Sequence, residues 1–411
     1  MTSRFHFTIR RPTSILKALV IAYVALLPYQ FEVGNEVNFA PSDCLMLLAV
    51  LLGLYSLRYR NLVWTGWHFG IIALFAAGSL VAALRFGTLS RYELINKDAG
   101  LLLPFLSYAA ITSAVTGWND VRRILRVFVA TVALQNIVAV GSYLAAYFFN
   151  VKNPFGRYGG LRLSGMLIDP NAYGGLLVAA FVVCEGVCVG PDPLFRKRTL
   201  WLFRATLAMG ILFTFSRSAW IALSLALCVL FLLQTRAALR VLLAGLTAAP
   251  CLFLLLGNRF VPVFEELASR PKQVQGRFDL IDAAIEAFTH HPILGGGIGS
   301  FRIAQGEIAH NTAMWFLADF GILGLTVLLG FLGWFFIKAW NCYRSATAAQ
   351  RPLALALLMA HTAMFGLAMG IEALYQRHWW LVLALIASSY RLTMRAPATR
   401  PAVAPLPAPA A

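Results

Sequence analysis

Long apolar runs recur along the whole of this chain, separated by short polar stretches, and most approach the ~20 residues that a helix needs to cross ~30 Å of hydrocarbon. Backbone N–H and C=O groups in that medium must be satisfied within the segment, so the runs are read as helices. The pattern predicts twelve spans, at roughly 15–33, 41–57, 65–84, 99–117, 124–148, 172–190, 199–215, 218–234, 240–257, 311–337, 353–372 and 378–391. The first run follows Arg4, Arg10 and Arg11 but continues into "LLPYQF" without a small-residue cleavage site, and is read as a span. Two segments on one side are long enough to form a site, about 149–171 and 258–310. Within the second, "GRFDLIDAAIEAFTHHP" places Phe278, Ile281, Ile285 and Phe288 at helical spacing opposite Asp279, Asp282 and Glu286. An amphipathic helix lying near the bilayer surface is expected there. The end "APATRPAVAPLPAPAA" cannot bury a core, so residues 398–411 are expected to form a disordered cytoplasmic tail after one transmembrane domain spanning 1–397.

Composition turns this pattern into a class. Of 411 residues, 60% are hydrophobic and 12% charged, which excludes an ordinary soluble domain and leaves an all-α polytopic membrane protein. An even number of spans puts both termini on one side. If that side is cytoplasmic, 21 of the 34 Lys and Arg fall on cytoplasmic segments and 13 on the opposite ones, the distribution that the positive-inside rule favours. The opposite face nevertheless holds or borders Arg157, Arg162, Arg217, Arg259, Arg270, Arg277, Arg302 and Arg377. Topology alone disfavours them there. The six cysteines offer neither a disulfide framework nor zinc spacing, and no nucleic acid is expected among the partners.

Candidate chemistry gathers on that arginine-bearing face. Arg217 lies in "FTFSRSAWIAL", with apolar sequence on both sides, and an arginine near membrane depth costs several kcal/mol unless it faces a polar cavity or partner. His310 and Asn311 stand at the mouth of the tenth span; Asn311 can cap that helix, and a histidine can take a proton from a hydroxyl near neutral pH. Arginines hold phosphate in bidentate fashion without a metal. Asp169-Pro170-Asn171 reads as a turn and helix cap, and "GGGIGS" as a loop or a weak anion nest. Asp279, Asp282 and Glu286 share a helix face, which a solvated surface explains without a metal. Inside the spans the acids are few, chiefly Glu185, Asp319 and Glu372.

In order and spacing, "RLSGMLIDPNAYG", "TFSRSAW", "GRFDLIDAA", "HPILGGGIGSF" and "HNTAMWFLADFGILG" resemble the O-antigen ligase superfamily, which includes O-antigen polymerases and protein O-oligosaccharyltransferases. The resemblance implies a GT-C-type glycosyltransferase of the bacterial inner membrane, working on the periplasmic face without nucleotide, metal or other cofactor. Such enzymes move a glycan from undecaprenyl diphosphate to an acceptor hydroxyl. Length, a single large periplasmic loop before the tenth span and the lack of an added C-terminal domain look most like the ligases whose acceptor is lipid A–core oligosaccharide. The family's periplasmic histidine falls on His310 and its loop arginines on Arg217 and Arg277, with Arg162 and Asn171 matching the segment before the sixth span. Arg157 is included for its charge and sequence proximity.

The expected mechanism follows from that assignment. His310 orients or deprotonates the acceptor hydroxyl, which attacks the anomeric carbon opposite the diphosphate, so the linkage inverts. Arg162, Arg217 and Arg277 hold the diphosphate and stabilise its growing charge. The alternatives are a polymerase or protein oligosaccharyltransferase within the same superfamily, and a lipid or solute transporter outside it.

Overall fold

Each predicted apolar run overlaps a helix of the computed structural model, which describes residues 14–33, 37–55, 62–87, 93–157, 162–268 and 271–395, though the first run, expected to reach residue 33, leaves the helix at Leu26 and ends in a strand. In chain order the helices are α1 (Ser14–Leu26), α2 (Pro41–Tyr55), α3 (Gly66–Phe86), α4 (Gly100–Ala114), α5 (Trp118–Phe149), α6 (Pro170–Val187) and α7 (Lys197–Phe213). There follow α8 (Arg217–Leu233), α9 (Thr235–Ala268), α10 (Pro271–His290), α11 (Ser300–Gln305), α12 (Thr312–Ser345), α13 (Arg351–Ala368) and α14 (Arg377–Arg395). Among the described residues, five helices are long and apolar enough by themselves to cross a membrane: α3, α5, α6, α12 and α13. Two small antiparallel hairpins interrupt the all-α plan, β1 (Phe31–Val33) with β2 (Val37–Phe39), and β3 (Gly156–Arg157) with β4 (Arg162–Leu163). The expected tail at 398–411 and Arg270 lie outside the described residues.

At the centre stand α6 and α13, buried over most of their lengths. Lipid tails are as apolar as leucine, so water exclusion gives little reason for two such helices to associate in a bilayer; close packing of small residues does. A methyl group added to Gly186 would lie 2.6 Å from the Cα of Ala356, and one added to Gly366 2.9 Å from the Cα of Ala222. The first contact joins α6 to α13 and the second joins α13 to α8.

The segment 258–310, expected to join the ninth and tenth spans and to hold an amphipathic helix, is mostly helical. Helix α9 runs on to Ala268, and α10 begins at Pro271. The amphipathic helix is present, but its faces divide differently from the expectation. Leu280, Ala283, Ala284 and Ala287 pack on the core, while Phe278 and Ile285 stay exposed beside the acidic face of Asp279, Asp282 and Glu286. Helical spacing explains this, because an apolar arc wider than the packed surface leaves its far edge free for lipid. Among the described residues no three His, Cys, Asp or Glu side chains gather where they could hold a metal ion.

The stretch "HPILGGG" repairs a break in α12. At Gly321 the backbone turns to φ 65°, so the helix cannot close its own bonds there. The amides of Ile322 and Leu323 donate instead to the carbonyls of Pro292 (2.9 Å) and Ile293 (3.3 Å). The carbonyls of Ala318 and Asp319 that those amides would have served accept from Gly296 (3.0 Å) and Gly297 (2.9 Å). All four displaced groups are thus satisfied, as a buried break in a helix requires.

The glycine nest weighed from sequence is occupied by the protein's own anion. The Asp319 carboxylate accepts from the amides of Gly299 (2.8 Å) and Phe301 (3.0 Å), the Ser300 hydroxyl (2.9 Å) and the Trp315 indole (2.8 Å). Asp319→Ala leaves three buried N–H groups unpaired at ~1–3 kcal/mol each, so a large loss of thermal stability in detergent is expected. Wild-type stability of that variant would show that the carboxylate does not hold α11 to α12.

Candidate active site

A cavity of about 1190 Å³ opens where helix N-termini converge. Its wall takes in Asp169 and Asn171 at the start of α6, Phe215 and Arg217 at the start of α8, His310 two residues before α12, and Arg377 at the start of α14. The aligned peptide dipoles make each such end electropositive, although the side chains of Asp169, Ser216 and Asn311 already cap amides of α6, α8 and α12. At this size the cavity exceeds the usual range for a small-molecule pocket.

Arg157, Arg162, Arg217 and Arg277 all line it. Arg157 and Arg162 face each other across the β3–β4 pair, a register that sets like charges directly opposite and is unfavourable unless an anion lies between or near them. Arg162 is braced: its Nε donates to the Thr214 carbonyl (2.9 Å) and one Nη to Asn171 Oδ1 (2.8 Å). Asn171 in turn accepts from Ser216 Oγ (2.9 Å) and donates to Asp169 Oδ1 (3.1 Å), the residue that caps α6. Asn171 is therefore a cavity residue and also the joint between α6 and the α7–α8 turn. Arg217 is exposed and makes no hydrogen bond or ion pair with a described residue; it occupies the first position of α8, where the helix dipole disfavours a cation. Arg277 enters from the first turns of α10.

His310 sits in the left-handed region, φ 49°, and the next residue, Asn311, returns to extended backbone at φ −153°. Such a conformation carries strain in a residue other than glycine, and histidine is among the types that tolerate it. The imidazole is half-buried on the cavity wall. Burial holds its pKa below the ordinary histidine value, the Arg277 charge lowers it further, and Glu372, Asp169 and Glu307 oppose both. A neutral imidazole near pH 7 is the form that can accept a proton. Asn311, in contrast, does not line the cavity. Its Oδ1 caps α12 by accepting from Ala313 (3.0 Å) and Met314 (3.2 Å), and its Nδ2 donates to the Met369 carbonyl (3.2 Å).

Two cation–carboxylate pairs on the same wall escaped sequence reasoning. Lys97 binds Glu372, both nearly buried, with the ammonium 4.2 Å from the Trp315 ring centroid and 5.2 Å from that of Tyr375. Arg377 grips Asp43 in a two-pronged pair at 2.7 and 2.6 Å, tying α14 to α2. Lys97 lies in a single π-helical turn, Glu93–Ala99, and the polar stretch "ELINKDA" carries no periodicity that singles it out. Of the span acids, Glu185 pairs with Arg204 and Asp319 is satisfied within its nest, so each has a structural partner.

Comparison with curated proteins gives no match. A family model described as O-antigen ligase matches residues 202–329, the stretch from early α7 into α12 that carries Arg217, Arg277 and His310. Over that stretch the chain is similar to the O-antigen ligase family, the one that the ordered motifs resemble.

Proposed function

We propose that the cavity is the active site of a metal- and nucleotide-independent glycosyltransferase of GT-C type. It moves O-antigen glycan from undecaprenyl diphosphate to a sugar hydroxyl of lipid A–core on the periplasmic face of the inner membrane, both termini being cytoplasmic. The observation that carries this reading is the meeting of His310 with Arg157, Arg162, Arg217 and Arg277 around one large cavity built on helix N-termini. The acceptor hydroxyl loses its proton to the imidazole as its oxygen bonds to the anomeric carbon. The bond to the diphosphate breaks with its electron pair going to the phosphate oxygen, whose new charge the arginines stabilise. Attack opposite the leaving group inverts the anomeric centre.

The test is incubation of the purified protein with undecaprenyl diphosphate-linked glycan and lipid A–core, without nucleotide or added metal. Product on lipid A–core supports a ligase, longer lipid-linked chains identify a polymerase, and no glycan transfer to any acceptor overturns the reading. Orientation has its own measurement. In a background lacking the native cysteines, Gln305→Cys in α11 should react with an impermeant thiol reagent from the periplasm, and Ala348→Cys, exposed between α12 and α13, only after permeabilisation. Labelling of both from outside reverses the topology.

A further inference from the structure

The Lys97–Glu372 pair lines the same cavity as His310, and the chain on both sides of Glu372 is stitched to the histidine segment. Thr312 Oγ1 donates to the Ile371 carbonyl (2.8 Å) and accepts from the Ala373 amide (2.9 Å), so the residues flanking Glu372 hang on the first residue of α12. Asn311 Nδ2 adds the bond to the Met369 carbonyl at 3.2 Å. His310 and Glu372 are thus carried by two short segments locked together, and both line the one cavity. Lys97, lying over Trp315 and Tyr375, holds the carboxylate. An ion pair so deeply placed is costly to desolvate, and packed apolar residues would serve stability equally well.

Resting on the glycosyltransferase reading above, we propose that Glu372 is a positioning residue for His310: its carboxylate, held by Lys97, faces the imidazole and stabilises the imidazolium formed when His310 takes the acceptor's proton. Glu372 does not itself take the proton, which stays on the imidazole until it passes to water or to the departing diphosphate. The other charges that face His310 are Arg277 from α10, Asp169 from the start of α6 and Glu307 from the segment before α12. Arg277 disfavours the imidazolium and the three carboxylates favour it, so removing Glu372 tips the balance towards the neutral ring.

The experiment follows the ionisation of His310 directly, by diethyl pyrocarbonate modification of the purified protein across pH, with the His310 peptide quantified by mass spectrometry. In Glu372→Gln the midpoint of modification should fall, and Glu372→Asp, which keeps the charge, should bring it back towards wild type. In parallel, turnover of Glu372→Gln at neutral pH should drop roughly tenfold, less than on removing a general base, with the acid limb of its pH profile moved to lower pH. The double variant Lys97→Met/Glu372→Gln leaves no buried charge unpaired and gives the same midpoint reading if the single variant does not fold. An unmoved midpoint in a folded variant overturns the proposal. A lowered midpoint in a protein whose wild type transfers no glycan keeps the Glu372–His310 coupling and sinks the glycosyltransferase reading instead.

Discussion

Glycan transfer by a His310→Ala variant is expected to fall by ~10²–10⁴, the range typical of losing a general base, while binding of the lipid-linked donor persists because the arginines are untouched. The left-handed backbone at position 310 complicates that substitution, since alanine adopts φ 49° less readily than histidine does. His310→Asn answers the difficulty, because asparagine tolerates this conformation but cannot accept the proton. Both variants should lose transfer alike, with thermal stability closer to wild type in the asparagine form. Unchanged turnover in either removes His310 from the chemistry; lost donor binding in a folded variant makes it a phosphate ligand rather than a base. The wild-type rate should fall on acidification at a pH below the ordinary histidine value, because burial and Arg277 hold the imidazole neutral to lower pH.

Arg217 carries the second large effect. It makes no hydrogen bond or ion pair with a described residue and stands at the first position of α8, so the fold gains nothing evident from it. Arg217→Ala is expected to cost ~10²–10³ in turnover, the magnitude of removing one donor from a developing oxyanion, with little change in stability. Arg217→Lys keeps the charge but loses the planar fork, and substantial impairment is expected there as well. Steady-state kinetics on protein of verified folding decides between the outcomes. Full activity in the lysine form shows that a point charge suffices, and full activity in the alanine form excludes Arg217 from the site.

Much of the helical framework was legible because apolar runs of spanning length have few alternative structures. Arg217 stood out because charge in an apolar hairpin needs a reason, and His310 stood out once other cations shared its face. What escaped were interactions between residues far apart in sequence. Lys97 meets Glu372, and Asp43 meets Arg377, through tertiary packing that no local spacing encodes. In the segment 258–310 the amphipathic helix was legible from its spacing and stands as α10, whereas the extension of α9 to Ala268 was not, because the lower apolar content there resembles that of a linker. Asn311 was legible as the cap of the tenth span and caps α12, but it does not line the cavity beside His310.

The break at Gly321 bears on how the site moves. Exchanged main-chain bonds fasten residues 292–297 to 318–323, and the Asp319 carboxylate fastens α11 to the same place. Helix α10, which brings Arg277, and the opening turns of α12, which follow His310, are therefore joined at their far ends into a single lever. A tilt of α10 on arrival of a bulky lipid-linked chain would carry the base along with the anion holder, preserving their mutual distance. Admission of substrate then falls to another part of the cavity wall, where the Asp43–Arg377 ion pair ties α2 to α14.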